Sequence, residues 1–227
     1  MSPTKPPPST EAAPTRVAAR LRHGGGALPL RTPRLILRPP ARADAGAVTM
    51  LAGAWAIARF TANIPHPLTE RDVLFWFGQA ESHHAKGSAV VLLMTARDDG
   101  AVLGAIDLRW DKTWPAAEVG YWVGLPFHRQ GYASEALTAV LGLAFGPLAL
   151  DAVFASACAD NSASQRVLHK AGLHPDGHTL VVPAPARGVT WHHERRTLTR
   201  DTWAALTQGP SRPDSPTTPP DHQDTAS

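Results

Sequence analysis

The chain has 227 residues, of which 43% are hydrophobic, and a formal net charge of +3. This size permits one domain with a sizeable core, and no apolar run approaches the roughly 20 residues that a membrane span needs. Aromatic and basic residues do not interleave as they do in nucleic-acid binders, so a nucleic-acid partner is disfavoured. The single cysteine, Cys158, cannot form an internal disulfide, which favours a reducing, cytoplasmic location.

Composition divides the chain into one folded region and two flanking segments. The first residues, MSPTKPPPSTEAAPT, are rich in proline and almost free of large apolar residues, and residues 209–227 are similar. Such segments cannot bury enough apolar surface to fold. We therefore expect a disordered arm over residues 1–31, one domain over residues 32–206 and a disordered tail over residues 207–227.

Hydrophobic periodicity within the domain predicts the element order β-α-α-β-β-β-α-β-α-β-β. The strands are expected in RLILRPP, AVVLLMTA, AVLGAIDLRW, AAEVGYWVG and DAVFASACA, and near residues 177–183 and 189–198. The helices are expected in ARADAGAVTMLAGA, in TERDVLFWFGQAESHHAKG with Thr69 as the N-cap, over residues 131–146 and in NSASQRVLHKAG. Hairpins combined with crossovers imply an α/β (α+β) fold with a mixed sheet and helices on its faces.

The segment LPFHRQGYASEAL, residues 125–137, enters a helix through a basic turn that contains Gly131. The first N–H groups of a helix are free and carry a partial positive charge, so such a turn suits a phosphate or a diphosphate. Arg129 adds a positive side chain. An ordinary strand-to-helix turn also explains the glycine, because the spacing matches neither the P-loop nor the dinucleotide fingerprint.

Two longer segments carry a family resemblance. AEVGYWVGLPFHRQGYASEAL, followed about 30 residues later by ADNSASQRVLHKAGL, resembles the GNAT acyltransferase superfamily. RTPRLILRPPARAD and RRTLTRDTW resemble its RimJ/RimL-like branch. The resemblance covers roughly residues 32–206. It implies a mostly antiparallel mixed sheet with helices on both faces, a splay between the fourth and fifth strands, and acetyl-CoA bound in that gap.

The resemblance also implies a set of cofactor-binding residues. Tyr121, Trp122 and Val123 would line the pantetheine arm, and Asn161 would contact the cofactor near it. The diphosphate would lie on the turn formed by Arg129, Gln130, Gly131, Tyr132, Ala133 and Ser134. The match departs from the family pattern at three positions: His128 replaces the common arginine or glutamine, Arg129 replaces the first glycine, and the proline usually found two residues after the strand has moved to Pro126.

Acyl transfer to a primary amine requires a base, a donor to the carbonyl oxygen and an acid for the leaving thiolate. Glu118 is the candidate base, and the alternative is an exposed strand carboxylate or an ion pair. Ser164 is the candidate acid, and the alternative is a surface hydroxyl near a helix start. A strand amide near Val123 is the candidate donor. No metal site is predicted, because the adjacent histidines of a strand pair such as His192 and His193 point to opposite faces.

These features together predict an N-acetyltransferase that uses acetyl-CoA. The acceptor expected first is a protein N-terminal α-amine, as in the ribosomal-protein enzymes of the branch. A small amine acceptor, a longer acyl donor and a non-catalytic acyl-CoA-binding module are the alternatives. The expected partners are an acyl-CoA and an amine, without a membrane partner, and the chain is expected to be a monomer or a homodimer.

Overall fold

Eight strands form one mixed sheet in a computed structural model that describes residues 28–110, 116–184 and 187–208. The strands are β1 (Leu30–Arg31), β2 (Leu35–Arg38), β3 (Ala89–Ala96), β4 (Val102–Trp110), β5 (Ala116–Val123), β6 (Ala152–Ala157), β7 (His174–Ala184) and β8 (Val189–Thr199). Their order in the sheet is β1-β2-β3-β4-β5-β6-β8-β7. All neighbours are antiparallel except β5 and β6, which are parallel. The predicted fold class is confirmed.

Six helices lie in the same part of the chain. They are α1 (Ala45–Ala52), α2 (Trp55–Ala58), α3 (Glu70–Lys86), α4 (Tyr132–Phe145), α5 (Ser162–Lys170) and α6 (Arg200–Gln208). Helix α3 begins at the predicted cap, because the side chain of Thr69 accepts from the Asp72 N–H and the Thr69 N–H donates to the Asp72 carboxylate.

The domain extends slightly beyond the boundaries that composition suggested. Leu30–Arg31 lies in the predicted arm but pairs with β2 through Leu37 and Ile36. Helix α6, which the predicted element order did not include, ends at Gln208. Such short additions depend on main-chain pairing and packing, which composition does not report. The rest of the predicted arm and tail, residues 1–27 and 209–227, lies outside the described residues.

Helices cover both faces of the sheet, and each face has its own apolar cluster. The larger cluster joins alternate residues of β3 and β4 to α4 and includes Leu92, Ile106, Leu108, Leu137, Val140 and Leu141. The smaller cluster joins the opposite residues of these strands to α1 and α3 and includes Val48, Val73, Phe77, Leu93 and Ala105. Because both faces are covered, β3 is buried along almost its whole length.

The sheet opens between β5 and β6, as predicted for the fourth and fifth strands of the sequence. These strands pair only from Ala116–Ala152 to Glu118–Phe154. Beyond Glu118, β5 continues to Val123 without a partner on this side, so a gap separates the two strands. In the part of the chain covered by the structure, no helix combines the length and the apolar character needed to cross a bilayer.

Candidate active site

The gap between β5 and β6 is lined by main-chain groups of β5. The Gly124 N–H donates to the Leu103 carbonyl at 2.8 Å, which shows that Gly124 faces β4. Along an antiparallel strand, the main-chain N–H and C=O groups of successive residues point to alternate sides of the strand. The main-chain groups of Trp122 therefore also point to β4, whereas those of Tyr121 and Val123 point into the gap. His128 Nε2 lies 2.7 Å from the Val123 carbonyl and donates to it. The Val123 N–H therefore points into the gap without a strand partner.

The turn that follows β5 leaves a row of main-chain donors free. Gly131 caps α4 in the left-handed conformation, with φ of 84°, and Arg129 also has a positive φ of 62°. In the described part of the chain, the N–H groups of residues 129–134 have no hydrogen-bond acceptor. Residues 128–131 are exposed, so this corner is open to a ligand. The geometry suits an anion, because the free amides and the helix dipole act in the same direction.

Arg34 holds this turn from the far end of the sequence. Its guanidinium donates to the Gln130 carbonyl at 2.8 Å and to Glu135 at 2.7 Å, and it lies 4.6 Å from the centre of the Tyr132 ring. Burial opposes ionisation of Glu135, but hydrogen bonds from Thr32 and Arg34 outweigh it and hold the pKa of Glu135 below its usual range. Glu135 therefore has a structural role in holding the turn. Arg34 was not predicted from the sequence, because it lies 101 residues from its partner Glu135.

A cavity of about 1530 Å³ lies at the gap, and its lining draws residues from the apolar clusters on both faces of the sheet. The sequence-predicted residues that line it are Glu118, Tyr121, Trp122, Asn161 and Ser164. The structure therefore brings the candidate base and the candidate acid to one space, although 46 positions separate them in the chain. The turn residues 129–134 and Val123 are not part of this lining.

Glu118 stands in a small group of charges. Its carboxylate lies 3.7 Å from the Arg109 guanidinium, which in turn lies 3.5 Å from Asp107. Burial raises the pKa of Asp107 to about 6, and the Arg109 charge opposes this rise. The Gly120 N–H donates to Asp107 at 3.1 Å, and a Cβ at Gly120 would lie 2.7 Å from the same oxygen. Asp107 was not predicted as a site residue. The signal that could have identified it is a carboxylate within the otherwise apolar strand AVLGAIDLRW.

Ser164 is not an isolated surface hydroxyl. Its Oγ lies 2.9 Å from the Tyr121 hydroxyl, and its N–H donates to Asn161 Oδ1 at 3.1 Å. Asn161 is thereby the N-cap of α5. Burial raises the pKa of Tyr121 to about 12, so its hydroxyl stays protonated at neutral pH. Among the residues that the structure covers, no group of three or more His, Cys, Asp or Glu residues is placed to hold a metal ion.

Three solved structures share the fold of this chain. Mycobacterium smegmatis RimJ in complex with CoA-disulfide aligns with a TM-score of 0.66 at 19% identity, over 77% of this chain and 90% of that one. The ribosomal-protein-S5-alanine acetyltransferase from Vibrio fischeri aligns with 0.65 at 16%, over 76% and 97%. The microcin C7 self-immunity acetyltransferase MccE, in complex with acetyl-CoA and AMP, aligns with 0.65 at 17%, over 74% and 93%. At these identities the likeness shows the fold alone.

The family follows from the sequence itself. The family model described as an acetyltransferase (GNAT) domain matches residues 34–174, which is more than half of the chain. The chain belongs to the GNAT acetyltransferase family, and it is an acetyl-CoA-dependent N-acyltransferase. A search of curated proteins found no match. The family and enzyme class predicted from the sequence are confirmed, and the structural neighbours include members of the predicted branch.

Proposed function

We propose that this enzyme transfers the acetyl group of acetyl-CoA to the N-terminal α-amine of a protein. The observation that carries this proposal is the gap between β5 and β6. Unpartnered main-chain groups of β5 line it, the free amides of residues 129–134 follow it, and a cavity with two candidate catalytic side chains adjoins it. The single cysteine, Cys158, supports a cytoplasmic setting.

The cofactor is proposed to follow β5 from the turn into the gap. Its diphosphate accepts from the amides of residues 129–134, with Arg129 as an added charge. Its pantetheine arm lies along Tyr121, Trp122 and Val123, where it takes the place of the missing strand partner. Asn161 uses its Oδ1 as a helix cap, so its side-chain N–H groups are left to donate to the cofactor.

The cavity supports a cationic acceptor. Its volume of about 1530 Å³ must hold the end of the pantetheine arm as well as the acceptor, because Tyr121, Trp122 and Asn161 are in its lining. Among the described residues of its lining, the charged side chains are Asp72, Asp107, Arg109 and Glu118, so carboxylates outnumber guanidinium groups. An amine that enters as an ammonium ion is attracted to such a lining. The similarity to a RimJ and to a ribosomal-protein-S5-alanine acetyltransferase supports a protein N-terminus as the acceptor.

The proposed reaction is direct attack of the neutral amine on the thioester carbonyl. The amine nitrogen forms a bond to the carbonyl carbon, and the carbonyl oxygen accepts from a gap-facing main-chain N–H of β5 near Val123 as its charge develops. Glu118 takes the proton that the amine loses through ordered water, because five positions of extended strand separate Glu118 from Val123. The carbon–sulfur bond then breaks, and the Ser164 hydroxyl protonates the leaving thiolate while Tyr121 donates to Ser164. The products are an N-acetylated acceptor and coenzyme A.

A thiol-release assay tests the proposal. The purified chain is mixed with acetyl-CoA and with separate acceptors, namely short peptides with N-terminal serine or alanine, a polyamine, an amino sugar and free amino acids. We expect coenzyme A release with at least one peptide, and mass spectrometry to place the acetyl group on its α-nitrogen. Coenzyme A release with a small amine and with none of the peptides would show that the acceptor is a small amine instead of a protein N-terminus. Binding of acetyl-CoA without coenzyme A release would identify a non-catalytic binding module.

A further inference from the structure

His193 presents an unusual polar atom to the cavity. The residue lies on β8, is only 5% exposed and lines the cavity. Its Nε2 has no hydrogen-bond partner among the described residues, and its Nδ1 lies 3.4 Å from the Ser156 hydroxyl. The Trp191 ring stacks on it with a centroid distance of 5.5 Å and an interplanar angle of 14°. The imidazole is therefore held in place while one ring nitrogen is left unused.

Strand register places His193 across the gap from the candidate base. Glu118 pairs with Phe154 at the last position where β5 and β6 are joined. Two residues further along β6 is Ser156, which His193 contacts where the strands have separated. Glu118 and His193 therefore face the same cavity from opposite sides of the opening.

The unpaired nitrogen is open to a hydrogen-bonding partner that enters the cavity. A buried polar atom without a partner costs about 1–3 kcal/mol, and native structures leave few such atoms. Burial also lowers the pKa of His193, so the ring is neutral at neutral pH. The Ser156 hydroxyl can accept from an Nδ1–H, and in that tautomer the ring keeps a lone pair on Nε2. The group that fits this tautomer is an N–H donor that enters the cavity.

We propose that His193 Nε2 accepts a hydrogen bond from the reacting amine of the acceptor and so holds its nitrogen beside the thioester. The inference deepens the proposed function and rests on it. His193 binds the nucleophile, Glu118 remains the proposed base, and Trp191 fixes the plane of the ring. The site thus takes amines that retain an N–H when neutral, and a fully substituted nitrogen lacks the donor it needs.

The test compares two phenylalanine variants on the same strand. His193→Phe keeps a flat ring against Trp191 but removes both nitrogens. His192→Phe is the matched control, because His192 is the exposed neighbour on the other side of β8. His193→Gln is a rescue variant, because its amide oxygen accepts hydrogen bonds. For each protein we measure kcat and KM for a peptide with an N-terminal alanine, its Kd for the enzyme–CoA complex, and the Kd for acetyl-CoA.

His193→Phe is expected to lower kcat/KM for the peptide by about threefold to tenfold, the value of a hydrogen bond between two neutral groups. Peptide affinity falls in step, whereas acetyl-CoA affinity does not change. His193→Gln recovers part of the loss, and His192→Phe behaves as the wild type. Wild-type peptide kinetics in His193→Phe would overturn this inference and leave the proposed function untouched. A matching loss of acetyl-CoA affinity would reduce His193 to a packing residue. A wild-type enzyme that neither binds nor acetylates any amine would overturn the proposed function as well.

Discussion

The hydroxyl of Tyr121 lies 2.9 Å from Ser164 Oγ and joins β5 to α5 across the opening of the sheet. Because burial keeps the phenol protonated, Tyr121 can donate to Ser164 and leave the serine O–H free to serve the cavity. The pair gives the serine a fixed direction that a lone surface hydroxyl lacks.

We therefore predict that Tyr121→Phe lowers kcat by about tenfold, the value of one hydrogen bond of roughly 1.4 kcal/mol. Ser164→Ala should lower kcat at least as much, and the double variant should be no worse than Ser164→Ala, because both act on one proton. Steady-state kinetics and the Kd for acetyl-CoA measure these effects. Additive losses in the double variant would show that the two hydroxyls act separately.

Glu118→Gln should lower kcat by about a hundredfold or more while it leaves the Kd for acetyl-CoA unchanged, because it removes a proton acceptor and keeps the side-chain shape. Glu194→Gln is the control, since this exposed carboxylate pairs with Arg196 on β8. Single-turnover acetylation measures the chemical step directly. Equal activity of the wild type and Glu118→Gln would leave Glu118 as a partner of Arg109 only.

Gly131→Asp should weaken acetyl-CoA binding by at least about tenfold, because a carboxylate beside the diphosphate is repelled. Gly177→Asp is a matched control, since the φ of Gly177 is 82° against 84° for Gly131 and a Cβ there meets no atom within 4 Å. Both variants carry the same backbone strain, so both should lose stability. Isothermal titration calorimetry measures the affinity of each variant for acetyl-CoA. Equal affinities of Gly131→Asp and Gly177→Asp would show that the diphosphate does not bind at this turn.

Arg129→Gly tests the second departure from the family pattern. Arg129 adopts a φ of 62°, and left-handed geometry costs a non-glycine residue about 1–2 kcal/mol, so the variant should gain about 1 kcal/mol in free energy of unfolding. It should also bind acetyl-CoA less tightly, because a charge near the diphosphate is lost. Ala149→Gly is the control, because Ala149 has a φ of 52° and lies away from the turn. It should gain stability without a change in affinity.

Asp107 makes stability depend on pH in a defined direction. Its folded pKa of about 6 lies above its ordinary value of 3.8, so the folded state holds the proton more tightly. The resulting contribution of Asp107 to the free energy of unfolding is complete below about pH 4 and is lost as the pH rises through about 6. Relative to Asp107→Asn, the wild type should lose up to about 3 kcal/mol over this range, since each pKa unit is worth about 1.4 kcal/mol. Urea unfolding of both proteins from acid to neutral pH measures the difference, and a constant difference would contradict the prediction.

The elements that were predicted well are those with strong local signals. The period of 3.6 residues after Gly131 defined α4, the capping box at Thr69 began α3, and alternating or continuous apolar runs defined the central strands. The site residues predicted on β5 and at the start of α5 depended on a motif, and motifs are also local. By contrast, β1 and α2 are too short to carry a periodic signal of their own.

The sequence by itself therefore determined the family, the order of the main elements and the turn with its free amides, because each depends on neighbouring residues. Only the tertiary structure decided that Arg34 braces this turn from a distant strand, that Asp107 is buried beside Glu118, and that His193 instead of His192 faces the cavity. Those relationships depend on strand register and helix packing. Both arise from the summed burial and pairing of many residues, so no short stretch of the chain encodes them.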